Sequence, residues 1–206
     1  MGWRHVTNVT NERTFIASVL PFAGFGNSLP LFFAHGVDAR RAACLLGAFS
    51  SHCFDYVTRQ KLGGVNMTFG YLRQFAVPPP SAYTKAAIDF IVPRVVELTY
   101  TAHDLKPFAR DLGYDRAPFA WDNERRAHLR AQLDAYYAYL YGLTRDELRY
   151  ILDPEDIYGA DFPSETFRVL KQNETKTYDE YRTARLVLAA WDRLEAEGTF
   201  TIRRAA

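Results

Sequence analysis

A cluster of cations, amides and glycines lies near residue 60 of this chain of 206 residues. Its members are Arg59, Gln60, Lys61, Gly63, Gly64 and Asn66. Cationic groups bind phosphates, forked donors and amides hydrogen-bond to base edges, and glycine lets a backbone approach DNA closely. The same residue types are also common at a helix C-terminus, where cations suit the helix dipole and glycine ends the helix. The pattern therefore predicts either a DNA-contacting loop or an ordinary helix cap.

Residues 22–27 are a second candidate, because the run Phe-Ala-Gly-Phe-Gly-Asn is similar to the F-x-G-x-G loop with which amino-methyltransferases hold S-adenosylmethionine. In that role the loop ends a strand and opens a helix. Here Pro30 follows and begins an apolar extended run, so we expect a glycine turn between strands. Residues 77–80, Val-Pro-Pro-Pro, are similar to the N-P-P-Y motif of adenine-N6 methyltransferases. They lack the side-chain amide or carboxylate and the aromatic ring that adenine methylation needs in this motif. We identify no catalytic residue in this chain.

The spacing of Asp156, Glu174 and Lys176 suits the catalytic triplet of a metal-dependent nuclease. In such nucleases the triplet lies on a strand, whereas Glu174 ends a helical pattern, so capping and surface charge are the better interpretation. His52 lies on an apolar stripe and is typical of a core histidine. No metal-ligand spacing is present, and we expect no metal site.

The composition is that of a globular protein, with 48% hydrophobic and 24% charged residues and a formal net charge of +1. No apolar run approaches the roughly 18 residues of a membrane-spanning helix. The N-terminus lacks the apolar stretch of a signal peptide, and Cys44 and Cys53 are the two cysteines. We therefore expect a cytoplasmic protein with no membrane partner and no disulfide.

Charge is distributed unevenly along the chain. Residues 1–80 carry seven Lys or Arg and three Asp or Glu, whereas residues 81–206 carry 18 and 21. Only the first part has the sign expected of a surface that meets a polyanion.

The predicted secondary structure also changes near residue 80. Extended patterns cover residues 13–20, 29–34 and 67–77, and an apolar stripe from residue 45 to residue 56, with Asp38 as N-cap, predicts one helix between them. Pro78, Pro79 and Pro80 mark a boundary, because they remove three donors and stiffen the chain. The sequence predicts an α+β fold, with a small twisted β-sheet lobe and one helix over residues 1–80 and a mainly α-helical lobe over residues 81–206.

Residues 81–206 contain clear signals for the starts and ends of helices. Ser81 is expected to cap a helix that Pro93 ends or kinks, and Gly142 is expected to close a long apolar stripe. Thr144 with Glu147, and Thr177 with Glu180, have the spacing of capping boxes.

Residues 55–64, read as DYVTRQKLGG, are followed by Met67, Phe69, Leu72, Phe75 and the prolines after Val77. This order resembles the C-terminal target-recognition region of DNA methyltransferases in fused restriction-modification enzymes. Residues 4–21 resemble the strand with which that region begins, and residues 148–154 and 162–167 are similar to the extension that follows it in large type II methylase subunits. The resemblance covers most of the chain through short, degenerate motifs.

The resemblance implies a fold related to the TaqI-like specificity domain, which places loops in the major groove of double-stranded DNA. It also implies a partner, an amino-terminal methyltransferase domain, which this chain lacks. That domain is expected to bind S-adenosylmethionine and to modify adenine at N6, and some such enzymes also carry a nuclease. This chain itself is expected to hold no cofactor, and Met1, followed so soon by a strand, favours an excised piece.

Two other functions stay open. A protein-interaction or scaffold domain would use the helical part as its contact surface and would bind in a salt-insensitive way. A compact methyltransferase would use residues 22–27 to bind S-adenosylmethionine.

Overall fold

The structure is a computed structural model that describes residues 1–162 and 166–200. Two short strands, β1 (Gly2–Trp3) and β2 (Ala17–Ser18), pair in an antiparallel sheet, and helices follow. The helices of the described part are α1 Ala39–Ser50, α2 His52–Lys61, α3 Phe69–Leu72, α4 Lys85–Thr99, α5 Lys106–Asp111, α6 Asn123–Tyr141, α7 Arg145–Leu152, α8 Glu155–Tyr158, α9 Arg168–Tyr178 and α10 Arg182–Ala196. Short 3₁₀ turns occupy Pro80–Ala82 and His103–Leu105. The predicted α+β class, a small sheet followed by helices, is confirmed.

β1 makes backbone contacts along both of its edges. One edge pairs with β2, in the register Gly2 to Ser18 and Trp3 to Ala17. On the other edge the backbone N–H of Trp3 donates to Pro30 O at 3.2 Å. The strands stay short because their continuations leave this ladder for loops after a few residues.

Gly2 is required by the way the chain crosses this sheet. A Cβ at this position would lie 2.8 Å from Leu20 Cδ1 and 2.9 Å from Pro30 O. Since real Cβ atoms do not approach other atoms so closely, only glycine lets the segment after β2 pass over β1.

An aromatic cluster beneath the sheet joins it to the first two helices. Trp3, Phe15, Phe49, Phe54 and Phe75 are buried there. The Trp3 indole donates from Nε1 to the carbonyl of Met67 at 2.8 Å, so its polar edge is satisfied within an apolar core. This cluster fixes the sheet on the helices that support it.

The predicted first helix is divided in two at Ser51. Asp38 caps α1 as predicted, by accepting from the backbone N–H of Arg41. Ser51 has extended backbone angles, and its hydroxyl accepts from the backbone N–H of Phe54 to begin α2. The prediction of one continuous helix was wrong, because a serine that caps α2 interrupts the stripe.

The largest core of the described residues is shared across the predicted boundary at residue 80. α1 packs on α4 and α6, and Ala43, Cys44 and Leu46 lie in one cluster with Ile91 and Val95. The division into residues 1–80 and 81–206 stays a prediction as a domain boundary, although apolar packing crosses it.

Close contact between α1 and α6 depends on Gly47. A Cβ there would lie 2.5 Å from the Tyr137 hydroxyl oxygen, and that hydroxyl donates to the Cys44 carbonyl at 2.6 Å. The two helices approach closely at this point because residue 47 has no side chain.

Several predicted element ends differ from the structure. Residues 67–77 are not a strand, since α3 and a turn occupy much of this segment. Pro93 lies within α4 without ending it, and Thr84, not Ser81, caps that helix. Propensity is a weak signal where tertiary packing buries a helix on both sides of a proline.

Of the two predicted capping boxes, one is present. Thr144 and Glu147 form it with both reciprocal bonds, and Gly142 ends α6 in the left-handed conformation as predicted. The second box was wrong, because Thr177 lies inside α9. Glu174 instead accepts from the backbone N–H of Thr183 at 2.7 Å, in the first turn of α10.

Residues 163–165, which belong to the segment 162–167 of the resemblance, lie outside the described residues. Within the described ranges, none of the helices combines the length and the apolar character needed to span a bilayer.

Candidate nucleic-acid interface

The candidate interface begins at the last turn of α2, which contains Arg59, Gln60 and Lys61. Arg59 points inward, with 5% of its side chain exposed, whereas Gln60 and Lys61 are exposed. Neighbouring residues of a helix point about 100° apart, so a single turn presents both a buried anchor and two outward side chains.

The anchor is built around Asp55, which is fully buried. Its carboxylate accepts from the backbone N–H groups of Thr14 and Phe15 at 3.0 and 2.6 Å. It also pairs with Arg13 Nε at 3.3 Å and Arg59 Nε at 3.2 Å. Three hydrogen-bond donors and the charge of Arg13 on one buried carboxylate offset its desolvation and hold the N-terminal segment against α2.

Arg59 uses its whole guanidinium group within the protein. Nε–H donates to Asp55, and the four Nη hydrogens donate to four main-chain carbonyls. These carbonyls belong to Val9 (2.8 Å), Thr166 (2.5 Å), Asn11 (2.8 Å) and Glu12 (2.8 Å). Because a guanidinium has five N–H donors, none is left for a phosphate or a base.

The Arg59 side chain also stacks on Phe167, with Cζ 4.6 Å from the ring centroid. Burial lowers the pKa of its guanidinium. Arg59 thus ties together the N-terminal segment, α2 and the start of α9. The predicted DNA contact now depends on Gln60, Lys61, Gly63, Gly64 and Asn66, and the structure gives Arg59 the role of positioning them.

Residues 63–66 form an exposed loop that is fixed at both ends. At the start, buried Leu62 donates its N–H to the Thr58 carbonyl at 2.9 Å. At the far end Thr7 N–H donates to Val65 O at 2.9 Å, and Asn66 forms a bridge with Val6. The loop is therefore a continuation of the sheet edge with its side chains open to solvent.

Gly63 and Gly64 leave the backbone of this loop uncovered. Both are exposed, and neither adopts a positive φ angle. A Cβ added at Gly64 would meet nothing within 4 Å, and one at Gly63 would meet only the Tyr71 hydroxyl oxygen, at 3.5 Å. The protein fold therefore does not require glycine at either position.

The chain on either side of the loop carries little negative charge. Residues 56–88 contain no Asp or Glu, and neither do residues 13–37. Of the acids nearest to these stretches in sequence, Asp55 is buried, whereas Glu12 and Asp38 are exposed. Among the described carboxylates, none lies within ion-pair distance of Lys61 or Arg73, which are both exposed. This local charge is favourable for a polyanion.

A cleft of about 240 Å³ opens beside Gln60. Its walls come from the N-terminal segment, the end of α2 and the start of α9. The lining residues are Val9, Thr10, Arg59, Gln60, Thr166, Arg168 and Val169. The cleft therefore borders the candidate interface and is bounded by the same segments that Arg59 ties together.

The candidate nuclease, metal and cofactor residues do not come together as sites in the described part of the structure. Asp156 pairs with Arg149, and Glu174 bonds to Thr183. The described residues contain no group of three metal-binding side chains. Residues 22–27 form an exposed loop that is followed by an extended segment pairing with β1, as the turn interpretation predicts.

The two cysteines are free and buried. Burial raises the pKa of Cys44 to about 12 and raises that of Cys53 as well. Both are therefore protonated thiols at neutral pH, and neither is suited to nucleophilic chemistry.

A buried pair that sequence analysis did not identify joins α2 to α6. His52 Nδ1 lies 2.9 Å from Asp134 Oδ2, and the His52 backbone N–H donates to Asp134 Oδ1 at 2.7 Å. Burial alone would raise the pKa of Asp134, but the charge of His52 and its hydrogen bonds outweigh this, and the pKa is lowered. The residues are 82 positions apart, so no local pattern indicates the pair.

Comparison of this chain with protein-family models, with curated proteins and with solved structures gives no significant match.

Proposed function

We propose that this chain is a sequence-specific double-stranded DNA recognition module of a restriction-modification DNA methyltransferase, and that it lacks the methyl-transfer centre itself. The observation that carries the proposal is the segment of residues 60–66, which joins the end of α2 to the loop that follows it. It exposes an amide, an ammonium group and two uncovered glycines on a rigid base, in a part of the chain without exposed acids.

The rigid base supports recognition rather than mere charge attraction. Side chains that read base edges must be held in register with the groove, so their backbone has to be fixed. The Asp55 and Arg59 network fixes one end of the loop, and pairing with Thr7 fixes the other. In this proposal Lys61 binds a phosphate, Gln60 and Asn66 face base edges, and the glycines allow close approach.

The resemblance of residues 55–64 to target-recognition regions supports the wider assignment. In the proposal a separate amino-terminal methyltransferase domain binds S-adenosylmethionine and performs the reaction, with adenine N6 as target. The assembly acts on double-stranded DNA in the cytoplasm. The chain described in this article supplies specificity, and its own residues perform no covalent step.

The experiment that tests the proposal compares Lys61→Ala with Lys176→Ala in duplex binding over a range of salt concentrations. Lys176 is an exposed lysine of α9 and serves as the matched control. Loss of one phosphate contact flattens the slope of log affinity against log salt by about 0.9. We expect this change for Lys61→Ala and no change for Lys176→Ala.

Equal slopes for the wild type and both variants would remove the loop from the DNA interface. Salt-insensitive binding of a protein partner, without binding to DNA, would favour the interaction domain instead. Heat of binding on titration with S-adenosylmethionine would favour the compact methyltransferase.

A further inference from the structure

Arg126, near the start of α6, is a buried arginine that lacks a carboxylate partner. Its exposed fraction is 8%, and none of the described carboxylates lies within ion-pair distance of its guanidinium. Nη2 donates to the Leu98 carbonyl oxygen at 2.9 Å, and Nε has no hydrogen-bond partner among the described residues. Arginine is rarely buried in proteins unless it is paired. A buried cation that its own protein leaves unpaired is therefore a candidate for binding an anion.

Arg130 follows one turn later on the same side of α6. Side chains four residues apart on a helix are neighbours, with Cβ atoms about 5–6 Å apart. Arg130 is exposed, and it makes neither a hydrogen bond nor an ion pair within the described part of the chain. Burial lowers the pKa of the Arg126 guanidinium, and the charge of Arg130 lowers it further. Like charges at this spacing destabilise a helix, and an anion bound to both would remove that cost.

The carboxylates around these two arginines already have partners. Glu97 of α4 accepts two hydrogen bonds from Arg125, at 2.7 and 3.0 Å. Glu124 accepts from Arg182 at 2.6 Å, and Asp134 belongs to the buried pair with the first residue of α2. Two positive charges are thus left for a ligand. A phosphate group carries about −1.5 to −2 charges at pH 7 and matches both cations, whereas a carboxylate matches one.

Trp121 places an aromatic ring directly against the buried arginine. Arg126 Cζ lies 3.7 Å from the ring centroid, and the indole Nε1 donates to Asn123 Oδ1 at 2.8 Å. These two contacts fix the ring, although 62% of the residue is exposed. Because the guanidinium covers one face, the opposite face of the indole is open to solvent. A fixed ring with one free face is suited to stacking on another planar group.

We propose that Trp121, Arg126 and Arg130 bind a ligand that carries a phosphate group beside a planar ring, which is the chemistry of a nucleotide. The base stacks on the free face of Trp121, and the phosphate accepts from the two guanidinium groups. Arginine suits this role because its planar donors can bind two phosphate oxygens at once. The site belongs to α6 and the segment before it, whereas the proposed DNA contacts follow the end of α2, so it does not depend on the proposed function.

The experiment uses the full chain, with the fluorescence of Trp121 as the reporter. Trp3 and Trp191 are buried, with exposed fractions of 0% and 5%, so a stacked ligand quenches mainly Trp121. Adenosine monophosphate should quench the fluorescence to a saturating limit. Adenosine should bind at least about tenfold more weakly, because it lacks the charge-assisted hydrogen bonds of the phosphate. Inorganic phosphate should compete with adenosine monophosphate without quenching.

Titration calorimetry of variants separates the phosphate contact from the stacking contact. Arg130→Ala should weaken binding of adenosine monophosphate about tenfold and leave that of adenosine unchanged, because it removes a partner of the phosphate alone. Trp121→Ala should weaken binding of both ligands about tenfold, the scale of one stacked base. Both positions are exposed, so the variants are expected to fold. Arg73→Ala, at an exposed arginine of the N-terminal part, is the control and should change neither affinity.

The other possible results are equally decisive. Wild-type affinity of Arg130→Ala for adenosine monophosphate would overturn the phosphate contact, and wild-type affinity of Trp121→Ala for adenosine would overturn the stacking. A wild type that binds neither ligand would overturn the site, whatever the result of the duplex experiment with Lys61→Ala. A short single-stranded oligonucleotide that binds more tightly than the mononucleotide, with the same loss in both variants, would support the site and identify a nucleic-acid strand as the source of base and phosphate.

Discussion

Arg59 has the sequence context of a DNA-contacting arginine, but in the structure it is an internal anchor. An arginine in the last turn of a helix, beside a glutamine and a lysine, suggests phosphate or base contact. In the structure its five donors are used by Asp55 and four carbonyls, and its side chain is buried. Under the proposed function, Arg59 acts on DNA binding through the loop that follows, because the last turn of α2 sets where that loop begins.

We expect Arg59→Lys to destabilise the protein by about 3 kcal/mol, because most of the four hydrogen bonds to main-chain carbonyls are lost at about 1 kcal/mol each. A lysine has three donors on one nitrogen and cannot reach the carbonyls of residues 9–12 and 166 together with the Asp55 carboxylate. Urea unfolding measures the effect, and Arg73→Lys, at an exposed arginine, is the control with a change within about 0.5 kcal/mol.

DNA binding gives a second readout for the same variant. Affinity should fall with an unchanged salt slope, because the loop is displaced but no phosphate contact is removed. Wild-type stability of Arg59→Lys would contradict the anchoring role, and a flattened slope with intact stability would restore direct DNA contact.

At the scale of elements, the contact between α2 and α6 includes a buried charge pair. Asp134 accepts both from the ring and from the backbone of His52, at the first residue of α2. Fixing the start of α2 in this way also fixes its end, where the candidate loop begins ten residues later, since a helix is a stiff element.

Asp134→Asn should lower the free energy of unfolding by about 3 kcal/mol at neutral pH. The folded-state pKa of Asp134 lies below its ordinary value of 3.8, so its contribution is present above that value and is lost as the pH falls through the folded pKa. The difference between wild type and variant should therefore shrink in acid. Denaturant unfolding over a pH series measures it, and a difference that stays constant in acid would contradict this origin.

At the scale of the whole molecule, the first 80 residues do not have a complete core of their own. The aromatic cluster beneath the sheet lies within them, but α1 also packs its Ala43, Cys44 and Leu46 side against α4 and α6. The region that bears the candidate interface thus depends on the helical part for part of its packing. The net charge of the chain changes near residue 80, whereas the apolar packing continues across that position.

We expect residues 1–80, expressed alone, to show no cooperative unfolding, because the apolar face of α1 would be exposed to water. Circular dichroism during thermal unfolding measures this, with the full chain as the control. A cooperative transition in the fragment would show that residue 80 is a true domain boundary.

Local sequence patterns determined where several helices of this protein begin and end. The Asp38 cap, the Thr144 and Glu147 capping box and the Gly142 helix end are confirmed, because each depends on neighbours within a few positions. The exposed helix end at Gln60 and Lys61 was also predictable from composition and spacing.

Only the tertiary structure decided which of the candidate side chains face solvent. Arg59 and Lys61 are both cations on one helical turn, and their opposite burial depends on carbonyls from residues 9–12 and 166, up to 107 positions away. The pairing of His52 with Asp134 and the close approach at Gly47 depend in the same way on helices distant in sequence. Such contacts leave no periodic pattern, since they arise where separate elements meet rather than within one of them.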